Sequence, residues 1–392
     1  MALLGLLLAM GVVGCASLER LPAVKLAQAP NADILNISDV RFYTTDTARM
    51  TAIAVAAYQR RSKIQHASEP QNFLAISGGG DDGAFGAGLL VGWSERGDRP
   101  NFGVVTGVST GALSAPFAYL GRGYDQHLKQ VYTDSSADEI FKPRMLLAAV
   151  TNDAMADSAP LRQMIGHYID DAVVRSIAEE YNKGRLLFIL TTNLDQGRPV
   201  IWNIGAIAAS GHPRSRELMI DVLLASASIP AVFPPVMIDV TIGGQRYQEM
   251  HVDGGAIAQA FLYPPSFSLA RATASLGISA AQFRAQRKRT AYVIRNGRLA
   301  RPEEKIDRET LAIAKQAIAT MTTSSGVNDT YRIYLVTRRD GVDFNLASIG
   351  DDFDVPYKGP FDKGYMRSLF AYGLQKGRAG YPWQKAPPGY VP

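Results

Sequence analysis

One ten-residue stretch limits the folds open to this chain more than any other. Phe102-Gly103-Val104-Val105-Thr106 has the composition of a short buried strand and runs into Gly107-Val108-Ser109-Thr110-Gly111, a Gly-x-Ser-x-Gly sequence. Ala112-Leu113-Ser114-Ala115 then reads as the start of a helix. A serine on so tight a strand-to-helix turn carries its Oγ above the sheet edge, and the flanking Gly107 and Gly111 let the chain bend and a substrate approach. In a chain with 36 glycines the pentapeptide alone says little, since composition can produce it. Its place between strand and helix is what marks Ser109 as a candidate nucleophile.

The same order occurs upstream. Phe73-Leu74-Ala75-Ile76 reads as a short apolar strand, Gly78-Gly79-Gly80-Asp81-Asp82-Gly83 as a glycine loop, and Leu89 to Arg96 as a helix. Gly78-x-Gly80-x-x-Gly83 matches a dinucleotide fingerprint, but Asp81 and Asp82 would repel a pyrophosphate at the helix start. The next strand also ends in the serine turn, with no acidic residue placed for a ribose. The other use of such a loop is an oxyanion hole, in which backbone N–H groups of Gly78, Gly79, Gly80 and Asp81 face developing negative charge, with Gly83 supporting the bend. Each such donor contributes roughly 3 to 4 kcal/mol in known cases. A plain tight turn is the alternative, but three consecutive glycines opening a helix exceed what a turn requires.

A chain of 392 residues, 47% hydrophobic and 20% charged, is long enough for a substantial core. Its net charge of +5 is spread out, apart from Arg284 to Arg289, which reads as a solvated face. That charge suits an anionic membrane surface but is too weak to argue for nucleic acid, and no zinc-finger, RNA-stacking or helix-turn-helix pattern adds to it. Met1 to Gly14 carries no charged side chain and falls short of the roughly 20 residues a bilayer span needs, so it reads as a signal peptide. Val12-Val13-Gly14-Cys15 resembles a bacterial lipobox, and Cys15 is the only cysteine. The expectation is a lipoprotein: signal peptide 1–14, lipidated Cys15, tether 15–40, then a single domain 41–392, with an ordinary buried N-terminal helix as the alternative to the signal peptide. Ala16 favours the outer membrane of a bacterial envelope, with the domain facing the periplasm. One feature departs from this pattern, because no Lys or Arg precedes the apolar run.

Farther along, Thr47 to Arg61 reads as a helix capped by Asp46, Arg185 to Asn193 as the clearest buried strand, and Glu217 to Ala227 as a helix. Lys142 to Val150 pairs two basic residues with an apolar run and reads as a core helix with a charged entry, or else as a lid or a membrane-contact segment. Val236 to Thr241 and Gln245 to Val252 flank Gly243-Gly244, a hairpin signal. That hairpin ends in Asp253-Gly254-Gly255, where an aspartate at a strand end can reach the sheet edge that carries the serine. His251 lies two residues earlier on the same strand face, so a triad through it is conceivable, with a plain strand-end histidine as the alternative. In the last 130 residues, Lys288 to Ile294 and Ile333 to Thr337 read as strands, and Asp307 to Met321 and Phe361 to Gln375 as helices.

Taken in order, Gly78 to Gly83, Gly107 to Gly111, Ala225-Ser226-Ala227-Ser228-Ile229-Pro230 with Phe233-Pro234-Pro235, and Asp253-Gly254-Gly255 resemble the patatin-like phospholipases. The resemblance covers about Phe73 to Phe267 and leaves 268–392 as a C-terminal extension. It implies an α/β, three-layer α/β/α fold with a mostly parallel central sheet, and a Ser109–Asp253 dyad. Ser109 would attack an ester carbonyl, Asp253 would take its proton, and water would release the acyl-enzyme. For that, the site must raise the Asp253 pKa by excluding water. The implied substrate is membrane phospholipid or lysophospholipid, with no cofactor and no metal. The family commonly has Arg or Lys where this chain has Asp82, which makes the loop less electropositive. Acyl transfer to an alcohol, or lipid binding without turnover, are the alternative functions on the same fold.

Overall fold

Along the central strands, successive side chains enter two different apolar layers. Phe73 and Ala75 face one layer and Leu74 and Ile76 the other; Leu186, Phe188 and Leu190 likewise face the first, Leu187 and Ile189 the second. Both faces are apolar, which is the pattern of strands covered on both sides. The computed structural model describes residues 18–64, 69–134, 140, 142–143, 153–300 and 305–390, the side chains of 142, 143, 280, 284, 286 and 311 excepted. The expected signal peptide, Cys15 and nearly all of the Lys142–Val150 segment lie outside these residues.

Among the described residues, nine strands form the main sheet: β1 (Arg41–Tyr43), β2 (Gln71–Ile76), β3 (Val104–Val108), β4 (Leu186–Asn193), β5 (Arg198–Asn203), β6 (Val236–Ile242), β7 (Gln245–Asp253), β8 (Arg289–Arg298) and β9 (Asp343–Ile349). The order across it is β1-β5-β4-β3-β2-β8-β9. The run from β4 to β9 is parallel, while β5 and β1 add an antiparallel edge. Helices α1 (Thr47–Ser62) and the end of α5 (Thr310–Asp340) cover one face; α2 (Gly83–Arg96), α3 (Thr110–Leu120), α4 (Ser215–Ala227) and α6 (Lys363–Ala379) cover the other. The fold is therefore three-layer α/β/α with a mostly parallel sheet.

Register places the chemistry. β3 pairs with β4 up to Val108 opposite Leu190 and then leaves the sheet. β7 takes over the vacated edge of β4, antiparallel, with Asp253 opposite Thr191. The residue that follows β3 and the last residue of β7 thus meet beside consecutive residues of β4.

Three readings of the sequence are corrected. Ile333 to Thr337 is not a strand but belongs to the 31-residue helix α5, where Ile333, Tyr334 and Val336 pack on the sheet. Burial of one helical face outweighs the β preference of a short apolar run. Residues 18–40 do not hang free as a tether. Val24, Ala29, Ile34 and Ile37 are buried, Asp33 bridges to Thr241, and Arg20 pairs with Asp195 at 2.7 Å. Nor is Arg284 to Arg289 a uniformly solvated face, since Arg289 opens β8 and is only 5% exposed.

Candidate active site

Ser109 stands between β3 and α3 with φ 54° and ψ −125°, a left-handed conformation that a non-glycine residue adopts only under constraint. The constraint is visible on each side. A Cβ on Gly111 would lie 2.3 Å from the Ile76 carbonyl oxygen, and one on Gly107 2.5 Å from the Gly111 carbonyl oxygen, so larger residues cannot close this turn. Gly83 is as crowded, with Thr110 Oγ1 2.1 Å from the Cβ it lacks. The Ser109 N–H donates to Ser226 Oγ at 3.0 Å, and the Ser226 hydroxyl donates on to the Leu190 carbonyl at 2.7 Å.

The Asp253 N–H in turn donates to the Ser228 carbonyl at 2.9 Å. The end of α4 and the residue after it therefore hold both sides of the pair in place. Asp253 Oδ1 accepts the Gly255 N–H at 2.6 Å, and its carboxyl also accepts a hydrogen bond from the Ser109 side chain. Asp253 is 4% exposed. Burial pushes its carboxyl up to about 7, against the Ser109 and Gly255 hydrogen bonds that favour the ionised form. Gly254 and Gly255 are needed for space, since Cβ atoms there would meet the Leu190 carbonyl oxygen at 2.6 Å and Gln259 Nε2 at 2.7 Å.

The glycine loop divides its N–H groups. Gly78 is not a free donor, because its N–H is spent on the Gln259 carbonyl at 2.9 Å. The Asp81 N–H turns to its own carboxyl, which also accepts the Phe361 N–H at 2.7 Å. Gly79 and Gly80 remain, and Gly80, at φ 57°, lines the same pocket as Ser109. Gly79 packs so tightly that a Cβ would stand 2.0 Å from the Asn296 carbonyl oxygen. Asp82 is drawn aside: its Oδ1 accepts the Tyr365 hydroxyl at 2.7 Å. Burial raises its carboxyl to about 6, Asp81 adds to the rise, and Tyr365, Arg298 and Arg295 oppose it.

Over Ser109 and Gly80 lies a pocket of about 500 Å³, its mouth included, walled by Leu113, Val131, Leu161, Met164, Phe233 and Met366 among others. Such walls suit an alkyl chain. Sequence reasoning missed the outer supports. Asn296 at the end of β8 donates from its N–H to Ser77 Oγ and from Nδ2 to the Ser77 carbonyl, and its Oδ1 accepts the Gly86 N–H. Asp329 Oδ2 accepts the Gln259 N–H at 2.6 Å. The sole available signal was that the apolar run Ala291 to Ile294 gives way to the polar pair Arg295-Asn296 before the strand ends.

His251 is not part of this pair. Both its ring nitrogens are used elsewhere, Nδ1 with Thr191 Oγ1 at 2.9 Å and Nε2 with Glu249 Oε2 at 3.1 Å. The Trp202 indole N–H donates to Thr191 Oγ1, and Arg41 forms an ion pair with Glu249, completing a buried chain of contacts. Among the described residues no group of three or more His, Cys, Asp or Glu is placed to hold a metal ion, and no helix is long and apolar enough to cross a membrane.

A parallel sheet between two helical layers, with a strained serine where a strand gives way to a helix, places the protein in the broad class of α/β acyl hydrolases. Within that class, residues 74–263 match the patatin-like phospholipase family, and this part of the chain is a patatin-like domain, that of a lipid acyl hydrolase. The crystal structure of VipD from Legionella pneumophila is similar over 79% of this chain and 67% of its own, at 11% identity and a TM-score of 0.32, too distant to bear on any residue's role. No curated protein matches the chain in sequence.

Proposed function

We propose that the protein is a serine hydrolase of acyl esters in phospholipid or lysophospholipid, working through Ser109 and Asp253 by way of an acyl-enzyme. The observation that carries this reading is a strained serine hydrogen-bonded to a buried carboxyl whose pKa lies near 7. A base poised there takes a proton at neutral pH and returns it. The Ser109 Oγ attacks the ester carbonyl as its proton passes to Asp253, and the N–H groups of Gly79 and Gly80 receive the oxyanion. On collapse the proton goes to the departing alcohol. Water then adds to the acyl-enzyme, giving its proton to Asp253, which restores it to Ser109 as the fatty acid leaves. The apolar pocket takes the acyl chain, and a lipid on Cys15 would keep the enzyme at its substrate in the envelope.

The test is turnover of a short-chain chromogenic ester and of phospholipid vesicles by the detergent-solubilised protein. Ser109→Ala and Asp253→Asn should each reduce kcat/KM by at least about 10³-fold. In wild type, kcat/KM should rise with pH through an apparent pKa near 7, because the base must be ionised. Unchanged turnover in either folded variant would dismiss the pair.

A further inference from the structure

A second cavity lies at the other end of the same strands. Gln71, Val104, Leu186 and Arg289, the first residues of β2, β3, β4 and β8, all line it, whereas Ser109 follows the last residue of β3. Five residues of strand separate the two ends, about 17 Å. The cavity encloses about 740 Å³, its mouth included, between α1, the sheet and residues 262–287. Its walls are largely apolar, yet three arginines, Arg61, Arg287 and Arg289, line it too.

These arginines are not matched by acid. Arg61 is 8% and Arg289 5% exposed, and among the described residues none of the three is within ion-pair distance of a carboxylate. Arg61 donates to the Gly103 and Gly184 carbonyls, and Arg289 from Nη1 to those of Phe283 and Arg287. The Arg289 Nε has no hydrogen-bond partner among the described residues. The facing acids are Glu69, acting weakly on Arg61, and Asp340, acting weakly on Arg289 and already engaged with Arg339. Arg185 adds repulsion at Arg61, and the Tyr58 and Tyr263 hydroxyls face the group. Burial, then the neighbouring Arg287, pushes both Arg61 and Arg289 down to about 10. Clustered, desolvated cations without counter-charge carry a free-energy cost that one bound anion would relieve.

We propose that this cavity binds the anion of a single-chain fatty acid, its carboxylate set among Arg61, Arg287 and Arg289 and its chain along the apolar wall formed by Phe73, Leu262 and Ala272. The inference does not rest on the hydrolase reading, although under that reading the ligand is of the product's class. Charge-assisted hydrogen bonds from guanidinium to carboxylate supply selectivity for an anionic head, and the apolar wall supplies affinity for the chain.

Calorimetric titration of the full chain with dodecanoate, and separately with dodecyltrimethylammonium, tests this. The Ser109→Ala background is used, so that a dead catalytic site leaves the outcome unaffected. Dodecanoate should bind and the cationic amphiphile should not. Arg287→Gln, at a half-buried residue over the Tyr58 ring, should weaken binding roughly tenfold. Ala272→Phe should fill the cavity and abolish binding, and Leu161→Trp, which narrows the catalytic pocket instead, should leave it. The proposal is overturned if Leu161→Trp alone removes binding, if the ammonium amphiphile binds equally well, or if folded Arg287→Gln binds as the parent does. Should Ala272→Phe fail to fold, Arg287→Gln decides.

Discussion

Glu249 and Asp253 lie four residues apart on β7, on the same face of the strand, and both are buried, at 0% and 4% exposure. Glu249 meets Arg41 and His251, and although burial alone would raise its pKa, those partners hold it down at about 2. Asp253 meets a hydroxyl and a backbone N–H but no cation, and burial carries it up to about 7. One strand thus holds one carboxylate whose charge is compensated and one whose charge is a standing cost. The first secures the antiparallel edge of the sheet. The second is held in a state from which a proton is readily exchanged, the asymmetry by which sites assign acid and base roles to like residues.

That contrast can be broken at three points, in decreasing order of expected effect. Glu249→Ala strands the Arg41 charge, which is 4% exposed, and should cost about 3 to 5 kcal/mol in urea unfolding. Because the folded-state pKa of Glu249 is depressed, its contribution is present above the unfolded value of about 4.5 and fades as pH falls toward 2. The variant's deficit should shrink over that window, and a pH-independent deficit would mean that packing, not charge, is what was lost. Asp253→Asn should do the reverse. A carboxyl raised from 3.8 to about 7 disfavours folding once ionised, so the variant should gain up to about 4 kcal/mol above pH 7, less as pH falls, and nothing below about 4. Activity lost with no stability gained would show that the Asp253 charge is better solvated than its burial implies. Thr191→Val leaves the Trp202 N–H without an acceptor and His251 Nδ1 without its partner, at about 2 kcal/mol. It should leave the apparent pKa of the rate profile near 7, because the two carboxyl environments share no hydrogen bond.

Those parts of the fold that depend on local patterning were legible beforehand. β2, β3 and β4 each carry a short run of apolar residues, the β6–β7 hairpin turns at Gly243-Gly244, and Asp46 caps α1 through the Arg49 N–H. The turns that carry Ser109 and Asp253 were legible because a close approach of backbone needs small neighbours, and the glycines beside both residues record that need. What could not be read was pairing between distant residues. Nothing near Glu249 in sequence announces Arg41, and nothing near Gly78 announces that Gln259 will occupy its N–H. In the same way, nothing near Asp82 in sequence announces Tyr365 and Arg298, which act on its carboxyl from more than 200 residues away. Burial of 18–40 was equally hidden, because its apolar residues follow no helical or strand period.

The order of strands also bears on how the protein comes into being. β2, which leads into the glycine loop, takes its second parallel partner from β8, more than 200 residues later, and β8 takes its own from β9. A ribosome that has released every residue up to 263 has delivered serine, aspartate and glycine loop, but β2 still presents a bare edge, and Asn296, which ties Ser77 to α2, does not yet exist. During synthesis the domain passes through an interval in which β2, paired only with β3, leaves the other edge of Phe73-Leu74-Ala75-Ile76 open to any passing chain, the condition in which aggregation competes with folding. Expression of residues 1–263 alone would make that interval permanent, and its yield in soluble form should depend on the supply of chaperones.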